Sequence, residues 1–97
     1  MTIVDQLYVT IKQLQERVYV QDNLAQHERY ERATTLDLIL DISGQLIDKL
    51  TQLSKCELSR NEMYATTCYI VAAETYRETI EFRHDAVLII TSKGGDA

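Results

Sequence analysis

The sequence contains no proline and no tryptophan, and only three of its 97 residues are glycine. Proline and glycine supply the fixed or left-handed backbone conformations that tight turns use. A sheet of several strands needs many such turns, so the scarcity of both residues argues against a β fold. The chain is therefore expected to contain few turns and long helices.

Long apolar segments are also missing, because the longest uninterrupted run of aliphatic residues extends only from Ala86 to Ile90. A membrane-spanning helix needs about 20 predominantly apolar residues. The first residues, Met1 to Asp5, lack the positively charged segment with which a secretion signal begins. We therefore expect a cytoplasmic protein that does not enter a membrane.

Basic residues are outnumbered by acidic ones, ten against 15, which gives a formal net charge of -5. Proteins that bind nucleic acid or anionic membranes usually carry a basic stripe. No segment of this chain is basic, so neither nucleic acid nor a membrane is an expected partner.

Cysteine is scarce as well, with Cys56 and Cys68 as the only two. A small secreted protein that depends on disulfides usually has four or more cysteines. We expect two free thiols.

The composition is otherwise that of a folded protein, with 45% hydrophobic and 26% charged residues. This balance is too apolar for a disordered chain. At this length one hydrophobic core is the upper limit. Residues 1–97 are therefore predicted to form a single helical domain.

The first predicted helix covers residues 3–33. Thr2 is its expected N-cap, and Asp5 lies in the first turn, where a carboxylate stabilises the free amides. Spacings of three and four residues place five apolar side chains on one narrow face: Val4, Leu7, Ile11, Leu14 and Val18. The spacing is lost near Asp22 and Asn23, so a break in the helix at that point stays open.

The second predicted helix covers residues 36–54, after Thr34 and Thr35, which favour capping positions over helix interiors. Its apolar stripe is broad and includes Leu36, Ile39, Leu40, Ile42, Leu46, Ile47, Leu50 and Leu53. A stripe of this width predicts a central position between other helices. Gly44 costs this helix about 1 kcal/mol relative to alanine, unless a close helix crossing needs the space.

The start of the third predicted helix, over residues 60–92, is the strongest local signal in the chain. Ser59 and Glu62 have the spacing of a capping box, in which each side chain bonds to the other residue's amide. Leu58 and Met63 flank the box as a hydrophobic staple. Both features predict a helix that begins at about residue 60.

The third helix carries an apolar stripe that is interrupted only at Arg83: Tyr69, Ala73, Tyr76, Ile80, Val87 and Ile90. Lys93 and Gly94 predict its end, as a cationic last turn followed by a left-handed stop. The alternative is a helix that ends at His84, followed by a strand over residues 87–90. We favour the longer helix because no partner strand is visible.

The three predicted helices differ in length, at about 45 Å for the first and third and about 27 Å for the second. In an antiparallel three-helix bundle the third helix then carries four aliphatic residues beyond the short helix: Val87, Leu88, Ile89 and Ile90. Exposed aliphatic side chains there would promote aggregation. We therefore predict an elongated all-α three-helix bundle that oligomerisation completes, with a homodimer favoured over a complex with a different helical partner.

Three tyrosines support the same prediction. Tyr8, Tyr19 and Tyr30 are each eleven residues apart, or about three turns, and so share one edge of the first helix. Tyrosine combines an apolar body with a polar hydroxyl and is enriched at protein interfaces. These residues are therefore predicted interface residues, with the edge of the chain's own core as the alternative.

Candidate chemistry is limited to Glu81 and His84, whose Glu-x-x-His spacing places a carboxylate and an imidazole on one helix face. A carboxylate-bridged pair of metal ions needs this motif twice and two more inward glutamates, which a dimer would have to supply. No nucleophile elbow, phosphate-binding loop or zinc motif is present. We predict neither an enzyme nor a cofactor.

The sequence thus favours a small protein-protein interaction module, such as an adaptor, inhibitor, chaperone or assembly factor, that acts through contacts of its helix faces. Its predicted interface residues are Tyr8, Tyr19, Tyr30, Val87, Leu88 and Ile90. The alternative hypothesis is a dimeric metal-carboxylate bundle that uses Glu81 and His84.

Overall fold

The structure is a computed structural model that describes residues 2–27 and 32–94 of the chain. It contains three helices, α1 (Ile3–His27), α2 (Ala33–Ser54) and α3 (Arg60–Gly94), and no strand within these ranges. The molecule measures 57 × 19 × 16 Å. The predicted elongated all-α three-helix bundle is confirmed.

The middle helix is the centre of the bundle. α2 packs along both α1 and α3, whereas no described Cα atom of α1 comes within 8 Å of one in α3. Side chains nevertheless link the two outer helices, Tyr8 to Glu62 and Asp22 to Tyr76. Both links join residues 54 positions apart, so α1 and α3 run parallel in constant register and α2 runs antiparallel to them.

The core consists of two clusters of buried side chains along α2. The first combines α1 residues with the C-terminal part of α2: Leu7, Ile11, Leu14, Ile42, Leu46, Leu50 and Leu53. The second joins all three helices at the other end: Ala25, Leu36, Ile39 and Ile80. The apolar stripes predicted for α1 and α2 are therefore the faces that the chain buries. Ser43 is fully buried between the clusters and donates a hydrogen bond to the carbonyl of Leu40 at 3.1 Å.

The boundary between the first two helices was predicted wrongly. We expected helices over residues 3–33 and 36–54, but α2 begins at Ala33, and Thr34 and Thr35 lie in its first turn. Arg32 is the N-cap, with φ -113° and ψ 135° and no side-chain capping bond. The reason is packing, because an early start buries Leu36 completely, and burying a leucine stabilises a fold more than a threonine cap does. Residues 28–31 lie outside the described ranges.

The first helix does not break where its apolar spacing is lost. α1 is continuous through Asp22 and Asn23. The Nε2 of Gln26 donates to Oδ2 of Asp22 at 2.7 Å, one turn away, which supports the helix locally. At its start the predicted cap is present, since the Asp5 amide donates to Oγ1 of Thr2 at 3.1 Å.

The third helix begins as predicted and extends further. The Glu62 amide donates to Oγ of Ser59 at 3.2 Å, and the Ser59 amide donates to Oε1 of Glu62 at 3.3 Å, which completes the capping box. The helix continues through residues 86–92 to Gly94, so the alternative strand is excluded. Gly94 is still helical and does not form the left-handed stop that we predicted.

Replacement of Gly44 by alanine is expected to raise the free energy of unfolding by about 0.5–1 kcal/mol. A Cβ atom at this position would lie 3.7 Å from Nε of Arg77, an ordinary van der Waals contact, so no close helix crossing requires the glycine. Chemical denaturation of Gly44→Ala beside the unmodified protein measures this change. A loss of stability would show that α2 and α3 approach more closely at this point.

Candidate protein-interaction surfaces

The tyrosine edge of α1 is only partly open to solvent. Tyr8 is 41% exposed, and its hydroxyl donates a hydrogen bond to Oε2 of Glu62 on α3 at 2.9 Å. Tyr19 is 70% exposed. Tyr30 lies outside the described residues. Of the two described tyrosines, one therefore links helices within the chain and the other is available to a partner.

The bond between Tyr8 and Glu62 depends on the start of α3. The hydrogen bond to Glu62 raises the pKa of Tyr8, and burial adds to the effect. The hydroxyl of Ser59 and then that of Tyr8 lower the pKa of the Glu62 carboxyl, because both donate to its charged form. The capping box thus orients the carboxylate that receives the tyrosine of α1.

A second tyrosine makes the matching link at the other end of the bundle. The hydroxyl of Tyr76 on α3 donates to Oδ1 of Asp22 on α1 at 2.9 Å. Burial is the main cause that raises the pKa of Tyr76, and the hydrogen bond to Asp22 adds to it. We refer to the pairs Tyr8–Glu62 and Asp22–Tyr76 as the two tyrosine clamps.

Between the two clamps lies an apolar depression, here called the α1–α3 groove. One cavity of about 490 Å³ is next to the first clamp, and a second of about 230 Å³ is next to Tyr76. Leu50 and Tyr69 line both cavities, and Leu46 and Leu53 extend the floor that α2 provides. The groove exists because α1 and α3 both pack on α2 but not directly on each other.

Sequence reasoning missed this groove. Tyr8 was recognised as an edge residue and Tyr76 as part of the apolar stripe of the third helix, but their acidic partners belong to other helices and follow from the three-dimensional register. The only signal in the sequence was the row of small residues on α3 beside the tyrosines, which leaves space next to α1: Ala65, Ala72 and Ala73.

The C-terminal part of α3 divides into a packed and an open portion. Val87 packs against the second core cluster, so this predicted interface residue lies largely within the chain's own core. Leu88, Ile89 and Ile90 are 47%, 57% and 69% exposed. We refer to these three residues as the α3 overhang.

The predicted metal-binding pair does not gather further ligands. Glu81 forms an ion pair with Arg77, which lies one turn earlier on the same helix. The buried Nε2 of His84 lies 2.8 Å from Oδ1 of Asp37 on α2, without the alignment of a hydrogen bond. No cluster of three or more potential ligands occurs within residues 2–27 and 32–94. Glu81 is thus paired within α3 and His84 lies beside α2, and the metal hypothesis stays an untested prediction.

The two cysteines are unpaired. Cys56 is half-buried, and its Sγ lies 3.6 Å from the carbonyl oxygen of Gln52. Cys68 is exposed on α3.

Comparison with known proteins finds no counterpart, because no family model, no curated protein and no solved structure matches this chain. Over the described residues, none of the three helices is long and apolar enough to cross a membrane.

The two clamps are expected to differ in strength. Replacing Tyr76 by phenylalanine removes a partly buried hydrogen bond to a charged acceptor and should lower the free energy of unfolding by about 1–2 kcal/mol. The same change at Tyr8 should cost less, because that bond is exposed to water. Tyr19→Phe is the matched control and should leave the stability unchanged. Denaturant unfolding measures all three variants, and a Tyr76→Phe protein as stable as Tyr19→Phe would contradict the clamp.

Proposed function

We propose that this chain is a small protein-protein interaction module that acts through contacts of its helix faces, as an adaptor, inhibitor, chaperone or assembly factor. We further propose that it associates as a homodimer. The α3 overhang carries this proposal, because three consecutive aliphatic side chains remain exposed there.

The register of the helices explains why the chain leaves the overhang uncovered. His84 lies opposite Asp37, so the first residue of the antiparallel α2 is level with about residue 88 of α3. On the other side, Asp22 lies opposite Tyr76, so His27 at the end of α1 is level with about residue 81. Beyond these points α3 has no described helix beside it.

Other exposed apolar side chains support the same function. Val20, Leu24 and Leu38 are 52%, 53% and 39% exposed on the α1 and α2 side of the bundle. Tyr19 is open on the tyrosine edge, and Tyr69 is 55% exposed beside the α1–α3 groove. Single exposed apolar residues are common in any protein, but several groups in so small a chain are typical of a protein that works in an assembly.

A cytoplasmic location is part of the proposal. Two unpaired thiols in a small protein are compatible with a reducing compartment, where disulfides are rare. The acidic composition favours protein partners over phosphate-bearing ones.

The substitutions Ile90→Asp and Tyr19→Glu test the two surfaces separately. A charge placed in a desolvated interface is costly, so each variant should weaken self-association or partner capture by at least about tenfold at the surface it affects. Ile3→Asp is the matched control, because Ile3 is 71% exposed against 69% for Ile90 but lies at the other end of the bundle.

Sedimentation velocity measures self-association, and capture by the tagged protein from its native lysate measures binding to other proteins. If both variants assemble and bind like Ile3→Asp, neither the tyrosine edge nor the overhang is an interaction surface. Circular dichroism confirms that every variant compared is folded.

A further inference from the structure

The face of α3 that points away from the rest of the chain carries its own row of regularly spaced residues, four of which are large exposed apolar side chains. Spacings of four and three residues alternate along this outer stripe, which consists of Tyr64, Cys68, Val71, Thr75, Glu78, Phe82, Asp85 and Ile89. This is the seam spacing of paired helices. Tyr64, Val71, Phe82 and Ile89 are 74%, 58%, 76% and 57% exposed.

The outer stripe is separate from the face that packs on α1 and α2. Val71 and Ile89 each lie nine residues from the fully buried Ile80, which is two and a half turns and therefore the opposite side of the helix. α3 thus has two apolar faces, of which the chain itself covers one.

The outer stripe is self-complementary when one copy is reversed. Tyr64 and Val71 are seven positions apart, and so are Phe82 and Ile89, so the spacing is the same in both directions along the helix. A two-fold symmetric interface needs this property, since each residue of a pair must find its counterpart on the other copy. The centre of the pattern lies between Tyr76 and Arg77.

We propose that the outer stripe is the dimer interface and that α3 pairs antiparallel with α3 of a second copy about a two-fold axis level with residues 76 and 77. Val71 packs against the partner's Phe82, and Tyr64 packs against the partner's Ile89. This inference rests on the proposed function and specifies the homodimer by its surface and register.

The available area is sufficient for such a contact. A tyrosine or phenylalanine buries about 150–250 Å² when fully enclosed, so the two aromatic residues of each copy together contribute on the order of 600 Å². Val71, Ile89 and the flanking side chains bring the total to roughly 1,000 Å², which is the lower limit for a specific interface.

The pairing also covers the α3 overhang. Reversal about the same axis places residues 88–90 beside residues 63–65 of the partner, next to the point where Tyr8 and Glu62 link the partner's α1 and α3. The segment that extends past the chain's own helices thus gains a neighbour. The same contact therefore explains why the outer stripe is apolar and why α3 extends beyond α1 and α2.

Repulsion between acidic side chains near the axis provides a second way to recognise the proposed interface. Glu74 and Glu78 lie near the proposed axis on both copies, and no ion pair joins either one to a described residue. Pairing brings these like charges together, so they oppose the apolar contact. We therefore expect Glu78→Gln to lower the dissociation constant of the dimer by about threefold or more. Added salt should also lower it, because salt screens the repulsion.

Single-cysteine variants test the register. In a background with Cys56→Ser and Cys68→Ser, one protein carries Val71→Cys and the other carries Phe82→Cys with a larger affinity tag. The two are mixed under mild oxidation, and the products are separated by size. The antiparallel pairing predicts the mixed disulfide as the main product. A disulfide that joins two copies of the same variant, at residue 71 or at residue 82, should be nearly absent. The pairing separates those two positions by about 16 Å along the helix axis, well beyond disulfide reach.

The outcomes separate this inference from the proposed function. Disulfides between like positions, or a dimer without the mixed disulfide, overturn the antiparallel pairing but leave a self-associating interaction module. A monomer at all concentrations overturns both the pairing and the proposed homodimer. The proposed function itself then depends on whether Tyr19→Glu or Ile90→Asp abolishes capture of another protein.

Sedimentation equilibrium of Glu78→Gln provides an independent measurement. Its matched control is Glu16→Gln, which removes an exposed carboxylate from α1, away from the outer stripe. Tighter dimerisation of the first variant alone supports the inference. Equal behaviour of both variants places the interface elsewhere on the molecule and overturns it.

Discussion

The burial of α2 between two helices is the constraint on which the rest of the structure depends. Leu36, Ile39, Ile42, Leu50 and Leu53 are each 2% exposed or less, and they point toward both neighbours. A helix that is apolar over this much of its circumference is stable in water only when more than one element covers it. α1 and α3 therefore occupy the two sides of α2, and each uses a single face to do so.

The geometry of the outer helices follows from this arrangement. Because both pack on one antiparallel helix, α1 and α3 are parallel, and they stay far enough apart to leave the α1–α3 groove. The two tyrosine clamps cross this gap, since a tyrosine side chain is long enough to reach a carboxylate on a helix that it does not pack against directly. The clamps fix how α1 and α3 are aligned along their axes. In this alignment the C-terminal end of α3 extends beyond α1 and α2.

The sequence was sufficient for the features that depend on short-range spacing. The alternation of three and four residues identified the buried face of α1, and the Ser-x-x-Glu pattern located the start of α3 at Ser59. Both signals are local, because a helix face and a helix cap are each determined by residues within a few turns. The breadth of the stripe on α2 predicted its central position for the same reason.

The features that depend on tertiary packing were not predictable in this way. α2 begins at Ala33 because Leu36 is buried, and that burial outweighs the preference of Thr34 and Thr35 for a cap. Arg77 pairs with Glu81 on its own helix, and its Nε also donates a hydrogen bond to the carbonyl oxygen of Leu40 on α2 at 3.4 Å. The α1–α3 groove and its clamps likewise follow from how far apart two helices lie on a third.

The proposed self-association rests on a helix with two apolar faces of which the chain covers one, and the solution mass of the unmodified protein tests that proposal most directly. Sedimentation equilibrium from about micromolar to about millimolar concentration should show a mass that rises toward twice the 11.2 kDa of one chain. A constant mass of 11.2 kDa over the whole range would contradict it.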